Sequence, residues 1–465
     1  MAMTYDEALS KLAEQGQEHL LAFWEQLDEA QRAGLLAQIE EIDFADIERM
    51  REALQHQQGD VAPAAAGEFG PAPVTTLAET GDPDVRELGL HALRAGKVGV
   101  LLVAGGQGSR LGYDGPKGCY EIGPITNAPL FEIHARKILA LEQKYNTEVP
   151  FYIMTSEAND APTREFFKVN NCFGLSPDRV IFFTQGMWPG LMPDGSLLLD
   201  RPDHVFVSPD GHGGILVALR KRGVLQDMAD RGLSTLFYFQ VDNPLIEVAD
   251  PDFIGLHLAN EAEISLKVCA KRDPYEGLGM VIARDGRSEV VEYSDLTDAQ
   301  KEERTPDGQL RLLFGSVAIH IFTFGFLKRE ADQALPLHVA HKKVPYCDEA
   351  GNIVKPDSPN AYKFEKFIFD VLPDAERSLN VEFAREEEFS PVKNAEGDDS
   401  PATTKRDMIA KWARWFEACG VSVPRDADGN PTALIEIDPC YALNVEDLKA
   451  KLPEDFKIEG DVLLK

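Results

Sequence analysis

Four short, almost wholly apolar runs constrain this chain more than any other feature: "VGVLLVA" (98–104), "PFYIMT" (150–155), "VIFF" (180–183) and "TLFYFQV" (235–241). Each is short for a helix and too apolar for a strand with one wet face. Strands buried on both faces belong to a parallel sheet covered by helices on each side, and helix-length segments separate these four. The expected fold class is α/β.

Between residues 263 and 323 the runs "EISLKVCAK", "GMVIARDG", "EVVEYSD" and "GSVAIHIFTF" follow one another with few helices between them, which predicts an antiparallel extension of the sheet. Residues 1 to about 58 read as helices. Thr4 and Glu7 make an S/T-x-x-E capping box, and Leu9, Leu12, His19, Leu20 and Phe23 continue one apolar face. In "GDVAPAAAGEFGPAPVT" (59–75) Ala, Pro and Gly displace every periodic signal, as in a linker or an extended wrap. "YKFEKFIFDVL" reads as a helix with Phe364, Phe367, Ile368, Val371 and Leu372 on one face. One more helix and a few short strands are expected over 405–465. These shifts divide the chain into a helical N-terminal region with its linker (1–95), a main domain (96–390) and a small C-terminal domain (391–465).

The formal charge is −31, from 78 acidic against 47 basic residues. Such a field repels nucleic acid and anionic bilayers alike, so neither is an expected partner. An anionic small substrate must be drawn in by a few local cations. The six cysteines lie far apart with no C-x-x-C, as scattered thiols do in a reducing compartment. The start "MAMTYDEALSK" lacks a leader profile, and no apolar run reaches the roughly 18 residues that a membrane span needs. A cytoplasmic protein is expected.

The first apolar run ends in "LLVAGGQGSRLGYDGPKG" (101–118). It is not a P-loop, because Pro116 precedes and Gly118 follows Lys117, with no hydroxyl to hold magnesium. A dinucleotide fingerprint also fits poorly: Gly106, Gly108 and Gly112 are spaced one residue too widely, and "YDGPKG" keeps the chain in loop. A third design accounts for every residue type. Successive glycines let backbone N–H groups approach the base and phosphates of a nucleoside triphosphate, while Arg110 and Lys117 neutralise its charge. Asp242 in "FYFQVDNPL" directly follows an apolar strand, where an α/β sheet delivers a carboxylate to its ligand crevice; a helix-capping aspartate is the alternative.

With the glycine stretch, "PFYIMTSE", "VIFFTQGMWPG", "SPDGHGG", "QVDNPL", "VVEYSDL", "KPDSPNAYKFEKFIFD" and "EFSPVKNAEG", the chain resembles the UTP-dependent sugar-1-phosphate uridylyltransferases, in particular the branch of the UDP-N-acetylhexosamine pyrophosphorylases. The likeness runs in order over roughly residues 95 to 410. It implies a Rossmann-like nucleotidyltransferase with a central mixed sheet, and a reaction in which a sugar 1-phosphate attacks the α-phosphorus of UTP to give UDP-sugar and pyrophosphate.

The same resemblance implies residue roles. Gly105 and Gly106 contact the uracil, and Gln185 with Gly186 serves the nucleotide, the glutamine amide both donating and accepting. Arg110, Lys117 and Lys393 hold phosphates. Asp242 assists Mg²⁺, which commonly takes only one or two protein carboxylates. His212, Gly213, Gly279, Glu292 and Ser316 face the sugar. Two departures bear on which sugar: His212 stands where the N-acetylhexosamine enzymes have Asn, and Ser316 and Ile319 stand where two further asparagines are expected. A UDP-glucose or broad-range UDP-sugar pyrophosphorylase is therefore the alternative within the class, and a non-catalytic UDP-sugar sensor the alternative outside it.

Overall fold

The structure, a computed structural model, describes residues 3–58, 67–76 and 79–465. Of the expected linker, residues 59–66 lie outside this set. The chain forms two compact units, each assembled from separated stretches: Met1–Pro63, Gln185–Ile215 and Ala334–Asp370 in one; Ala64–Thr184, Leu216–Gln333 and Val371–Lys465 in the other. The expected division at 95 and 390 follows chain order, whereas these units follow packing.

In the smaller unit, helices α1 (Tyr5–Ala13), α2 (Glu29–Glu41) and α3 (Phe44–Gln58) lead the chain. The Thr4–Glu7 capping box is present, and Asp28 with Gln31 forms a second one at α2. The single apolar face expected from Leu9 to Phe23 is broken, because Gly16 adopts φ +65° and two 3₁₀ turns follow. Leu12, Leu20, Leu35, Ile39 and Met50 nevertheless share one core, closed by Trp188, Leu191, Leu197 and Phe364. The helix expected in "YKFEKFIFDVL" is also corrected: Ala361–Glu365 is a strand antiparallel to His338–Lys342, and Ile368–Asp374 is a 3₁₀ turn. Pairing decides it, since every residue from Ala361 to Glu365 has a partner across the ladder, Phe364 opposite Val339, and Pro373 prevents a regular helix further on.

The larger unit is built on a ten-stranded mixed sheet. Its strands are β1 (Gly70–Pro71), β2 (Val98–Val103), β3 (Phe151–Thr155), β4 (Val180–Thr184), β5 (Thr235–Gln240), β6 (Ile264–Ala270), β7 (Gly279–Arg284), β8 (Arg287–Val291), β9 (Phe314–Thr323) and β10 (Ser378–Glu382). The four apolar runs are β2 to β5, and they pair in parallel, with Val100 opposite both Phe151 and Phe237. The extension is antiparallel as expected: β9 lies between β5 and β6, and the β7–β8 hairpin pairs with the start of β9. Helices α4 (Pro83–Arg94), α5 (Leu130–Tyr145), α6 (Asp160–Val169) and α7 (Pro251–Ala259) flank the sheet and fill its core with Leu93, Phe131, Ile138, Phe167 and Phe253.

At the C-terminus, α8 (Pro401–Ala418) packs Ala413 and Phe416 against a parallel pair, Ile435–Ile437 and Val462–Leu464. A second helix, Val445–Lys451, joins the one expected; Asn444 caps it by accepting from the Asp447 N–H. No helix among the described residues is long and apolar enough to cross a membrane, and all six cysteines are unpaired.

Two core histidines predict an acid sensitivity. His134 and His257 are both 0% exposed, and burial pushes their pKa down to about 3 and about 4. Unfolded, they titrate near 6.5, so the unfolded state binds more protons below that pH. Their contribution to stability is fully present above about pH 6.5 and is lost as pH falls towards 4. Urea midpoints are expected to fall between pH 7 and pH 5, and His257→Gln is expected to shrink that fall.

Candidate active site

The glycine stretch leaves the end of β2 and folds back on itself. The Gly108 N–H donates to the Gly115 carbonyl at 2.9 Å, and the Lys117 N–H to the Gly106 carbonyl at 3.1 Å. Asn159, just before α6, ties the loop down: its Nδ2 donates to the carbonyls of Ala104 (2.9 Å) and Gly106 (3.3 Å). Nothing in the sequence marks Asn159, because its role depends on a strand over fifty residues away. A Cβ on Gly106 would meet no atom within 4 Å, so the space above the loop at that point is open. Gly118 is bare for another reason: its Cβ would fall 2.2 Å from the Phe131 ring.

The two loop cations differ. Arg110 is exposed and makes no ion pair or hydrogen bond among the described residues. Lys117 keeps 16% side-chain exposure and sets its Nζ 3.6 Å from Asp242 Oδ2, itself 13% exposed. These two residues, 125 positions apart, meet because β2 and β5 are parallel neighbours that end at the same edge of the sheet. The capping alternative for Asp242 does not hold, since the next helix, α7, is capped by Asp250.

The residues after Asp242 are laced to a second segment. The Asp242 carbonyl accepts from the Val392 N–H at 2.8 Å. Asn243 donates from Nδ2 to the Glu388 carbonyl (2.6 Å), and its Oδ1 accepts from the Ser390 N–H (3.1 Å). Lys393 therefore enters beside Asp242 by its main chain, while its Nζ lies 3.9 Å from Asp399 Oδ2. Asn243, which the sequence reading passed over, is the link.

Among the described residues one cluster of three carboxylates is close enough to hold a metal: Glu247, Asp250 and Glu388. The Lys267 ammonium already donates to Asp250 at 2.8 Å and to Glu388, so the counter-charge there is the protein's own. Asp242 stands outside that cluster. A single carboxylate beside an open loop, with Lys117 as its ion-pair partner, it could supply one ligand to Mg²⁺, an ion that completes its shell with phosphate oxygens and water.

Three expected sugar residues are brought together. Gly279 of β7 lies directly opposite Ser316 of β9, and a Cβ on Gly279 would sit 3.4 Å from Glu292 Oε1. That Cβ would also press on Val290 at 2.7 Å, so packing contributes to the choice of glycine. With His320 opposite Tyr238, the antiparallel register of β9 carries Ser316 towards the sheet edge where β5 delivers Asp242.

In the smaller unit, Gln185 is buried to 7% exposure and precedes Gly186, whose Cβ would fall 2.6 Å from Asp210 Oδ2. The "DGHGG" turn packs backbone to backbone: Gly211 has φ +83°, and a Cβ on Gly211 or Gly213 would come within 2.5 or 2.7 Å of the Lys366 main chain. His212 stacks on Phe367 at 5.2 Å and 12°, and its Nδ1 accepts from the Ile368 N–H at 3.2 Å. Burial pushes its pKa down to about 4, which keeps the ring neutral at pH 7. With Nδ1 accepting, the proton sits on Nε2, which is left as a donor.

Similar known proteins supply the context. The family model described as UTP-glucose-1-phosphate uridylyltransferase matches residues 75–454. A human UDP-N-acetylhexosamine pyrophosphorylase-like protein 1 is 39% identical, over 95% of this chain and 94% of its own. The UDP-N-acetylglucosamine pyrophosphorylase of Saccharomyces cerevisiae is 34% identical, over 97% of this chain and 98% of its own. Among solved structures, the UDP-N-acetylglucosamine pyrophosphorylase of Trypanosoma brucei superposes with a TM-score of 0.81 at 25% identity, covering 100% of this chain and 99% of that one. The motifs that carry the site thus lie within a likeness that extends along nearly the whole sequence, and the chain belongs to the UTP-glucose-1-phosphate uridylyltransferase family.

Proposed function

We propose that this chain is a UTP:sugar-1-phosphate uridylyltransferase, a UDP-sugar pyrophosphorylase. The observation that carries the reading is the Lys117–Asp242 pair, 3.6 Å apart, beside a glycine loop that is open at Gly106. An oxygen of the sugar phosphate attacks the α-phosphorus of UTP; the new P–O bond forms as the bond to the β-phosphate bridging oxygen breaks, and pyrophosphate leaves. Two anions must be brought together, so the protein's part is positioning and charge neutralisation. Gly105 and Gly106 admit the nucleotide closely, Gln185 and Gly186 read it, and Arg110, Lys117 and Lys393 offset the phosphate charge. Asp242 would hold Mg²⁺, which supplies further charge neutralisation when bound.

Gly279, Glu292 and Ser316 gather as a hexose subsite, with the Glu292 carboxylate as acceptor for sugar hydroxyls, and His212 Nε2–H and Gly213 belong to the same role. N-acetylglucosamine 1-phosphate is the first candidate, from the named relatives. Glucose 1-phosphate is the second, favoured by Ser316 and Ile319, which offer no amide to an acetamido group. A Rossmann-like nucleotidyltransferase core and a cytoplasmic setting complete the reading.

The test is pyrophosphate release from UTP with a panel of hexose 1-phosphates, with and without Mg²⁺. Release with at least one sugar, dependent on Mg²⁺, is expected; UDP-sugar binding with no turnover would make the protein a sensor. His212→Asn is expected to shift preference towards the N-acetylated sugar, and an unchanged ranking of kcat/KM would remove this turn from specificity.

A further inference from the structure

The segment after β5 is irregular, so its carbonyls need partners that no sheet or helix supplies. The Val241 carbonyl meets His134 Nε2 at 2.9 Å. Lys137, on α5, donates from Nζ to the Pro244 carbonyl and to the Ile246 carbonyl at 2.7 Å. Lys411, on α8, donates to the Leu245 carbonyl at 3.0 Å and the Glu387 carbonyl at 2.5 Å. Three consecutive carbonyls, at 244, 245 and 246, are thus held by two lysine amino groups from different helices.

Neither lysine forms an ion pair among the described residues, although the chain is rich in acid. Both spend their donors on the main chain immediately after Asp242 and Asn243, and Lys411 also grips the chain one residue before Glu388, whose carbonyl Asn243 holds. Two side-chain donors therefore set the path of both segments, the one bearing Asp242 and the one leading to Lys393. Each amino group satisfies two main-chain carbonyls at once, which fixes a loop that has no ladder or helix of its own. The two side chains border a cavity of about 90 Å³.

We propose that Lys137 and Lys411 are positioning residues for the transfer reaction: they clamp the 244–246 main chain and thereby hold the Asp242 carboxylate where phosphate chemistry needs it. The proposal rests on the uridylyltransferase reading of Asp242. A small displacement of such a group costs about a hundredfold in rate.

The test is a set of double-mutant cycles on kcat/KM for UTP, using K137M, K411M, D242N and the two doubles with D242N, with circular dichroism and thermal melting as controls. Each lysine variant alone is expected to lose at least tenfold, to require more Mg²⁺ for half-maximal activity, and to lose little further activity when combined with D242N, because the clamp acts through that carboxylate. Lys411→Arg, which keeps two donors, is expected to recover most of the activity. Losses that multiply with D242N, or lysine variants as active as wild type, would overturn the clamp. A wild-type protein without turnover, or D242N at the wild-type level, would instead overturn the reading of Asp242. If K411M does not fold, K137M with D242N carries the cycle, with the same outcomes.

Discussion

Lys117→Ala is expected to lower turnover by at least tenfold while the protein stays folded. The ammonium is one of two cations on the glycine loop, and it sits 3.6 Å from Asp242 at the edge where β2 and β5 end. Removing a cation that faces developing phosphate charge typically costs about 2–4 kcal/mol of transition-state stabilisation, on the order of a hundredfold. The backbone need not move, because the Lys117 N–H still donates to Gly106 and Gly118 still packs on Phe131. Steady-state kinetics with UTP decide the matter: a fall in kcat and kcat/KM together marks an interaction made in the transition state, whereas a rise in KM alone marks ground-state binding only. A variant as active as wild type removes Lys117 from the site.

Lys267→Met is the second large effect, on stability. The ammonium is 2% exposed and donates to Asp250 at 2.8 Å and to Glu388. Asp250 also caps α7 by accepting from the Asp252 N–H, and Glu388 Oε2 accepts from the Glu247 N–H at 3.3 Å. Without Lys267 two buried carboxylates lose their cation, and breaking a buried pair from one side costs about 3–5 kcal/mol. Urea unfolding is expected to place K267M about 3–5 kcal/mol below wild type, and a loss under about 1 kcal/mol would mean that the buried carboxylates do not depend on this cation.

Legibility in the sequence followed the range of the interaction. Strands β2 to β5 were readable because burial on both faces leaves a continuous apolar run, and the Thr4–Glu7 box because capping spans three residues. "YKFEKFIFDVL" was misread because its apolar residues fit a helical period and an alternating strand about equally well over so short a length. Only the partner strand His338–Lys342 separates the two. The glycines of "DGHGG" invited a ligand explanation, while the structure adds a steric one, the close passage of the Lys366 main chain. Asn159, Asn243, Lys137 and Lys411 left no sequence signal, since each acts on main-chain atoms whose neighbours in space lie far along the chain.

What the sequence by itself determined is the chemical inventory and the class of fold: an apolar parallel core, a bare loop with Arg110 and Lys117 at its edge, and an acidic chain in which such cations are conspicuous. What only the tertiary structure decided is which of these groups meet. Lys117 pairs with Asp242 while Lys393 lies by Asp399, Gly279 lies against Ser316 and Glu292, and two helices lend lysines to the Asp242 loop. The reason is physical. Burial and capping act over a few residues and leave a local pattern, whereas a charge acts through space over a few ångströms on whatever the fold brings near it.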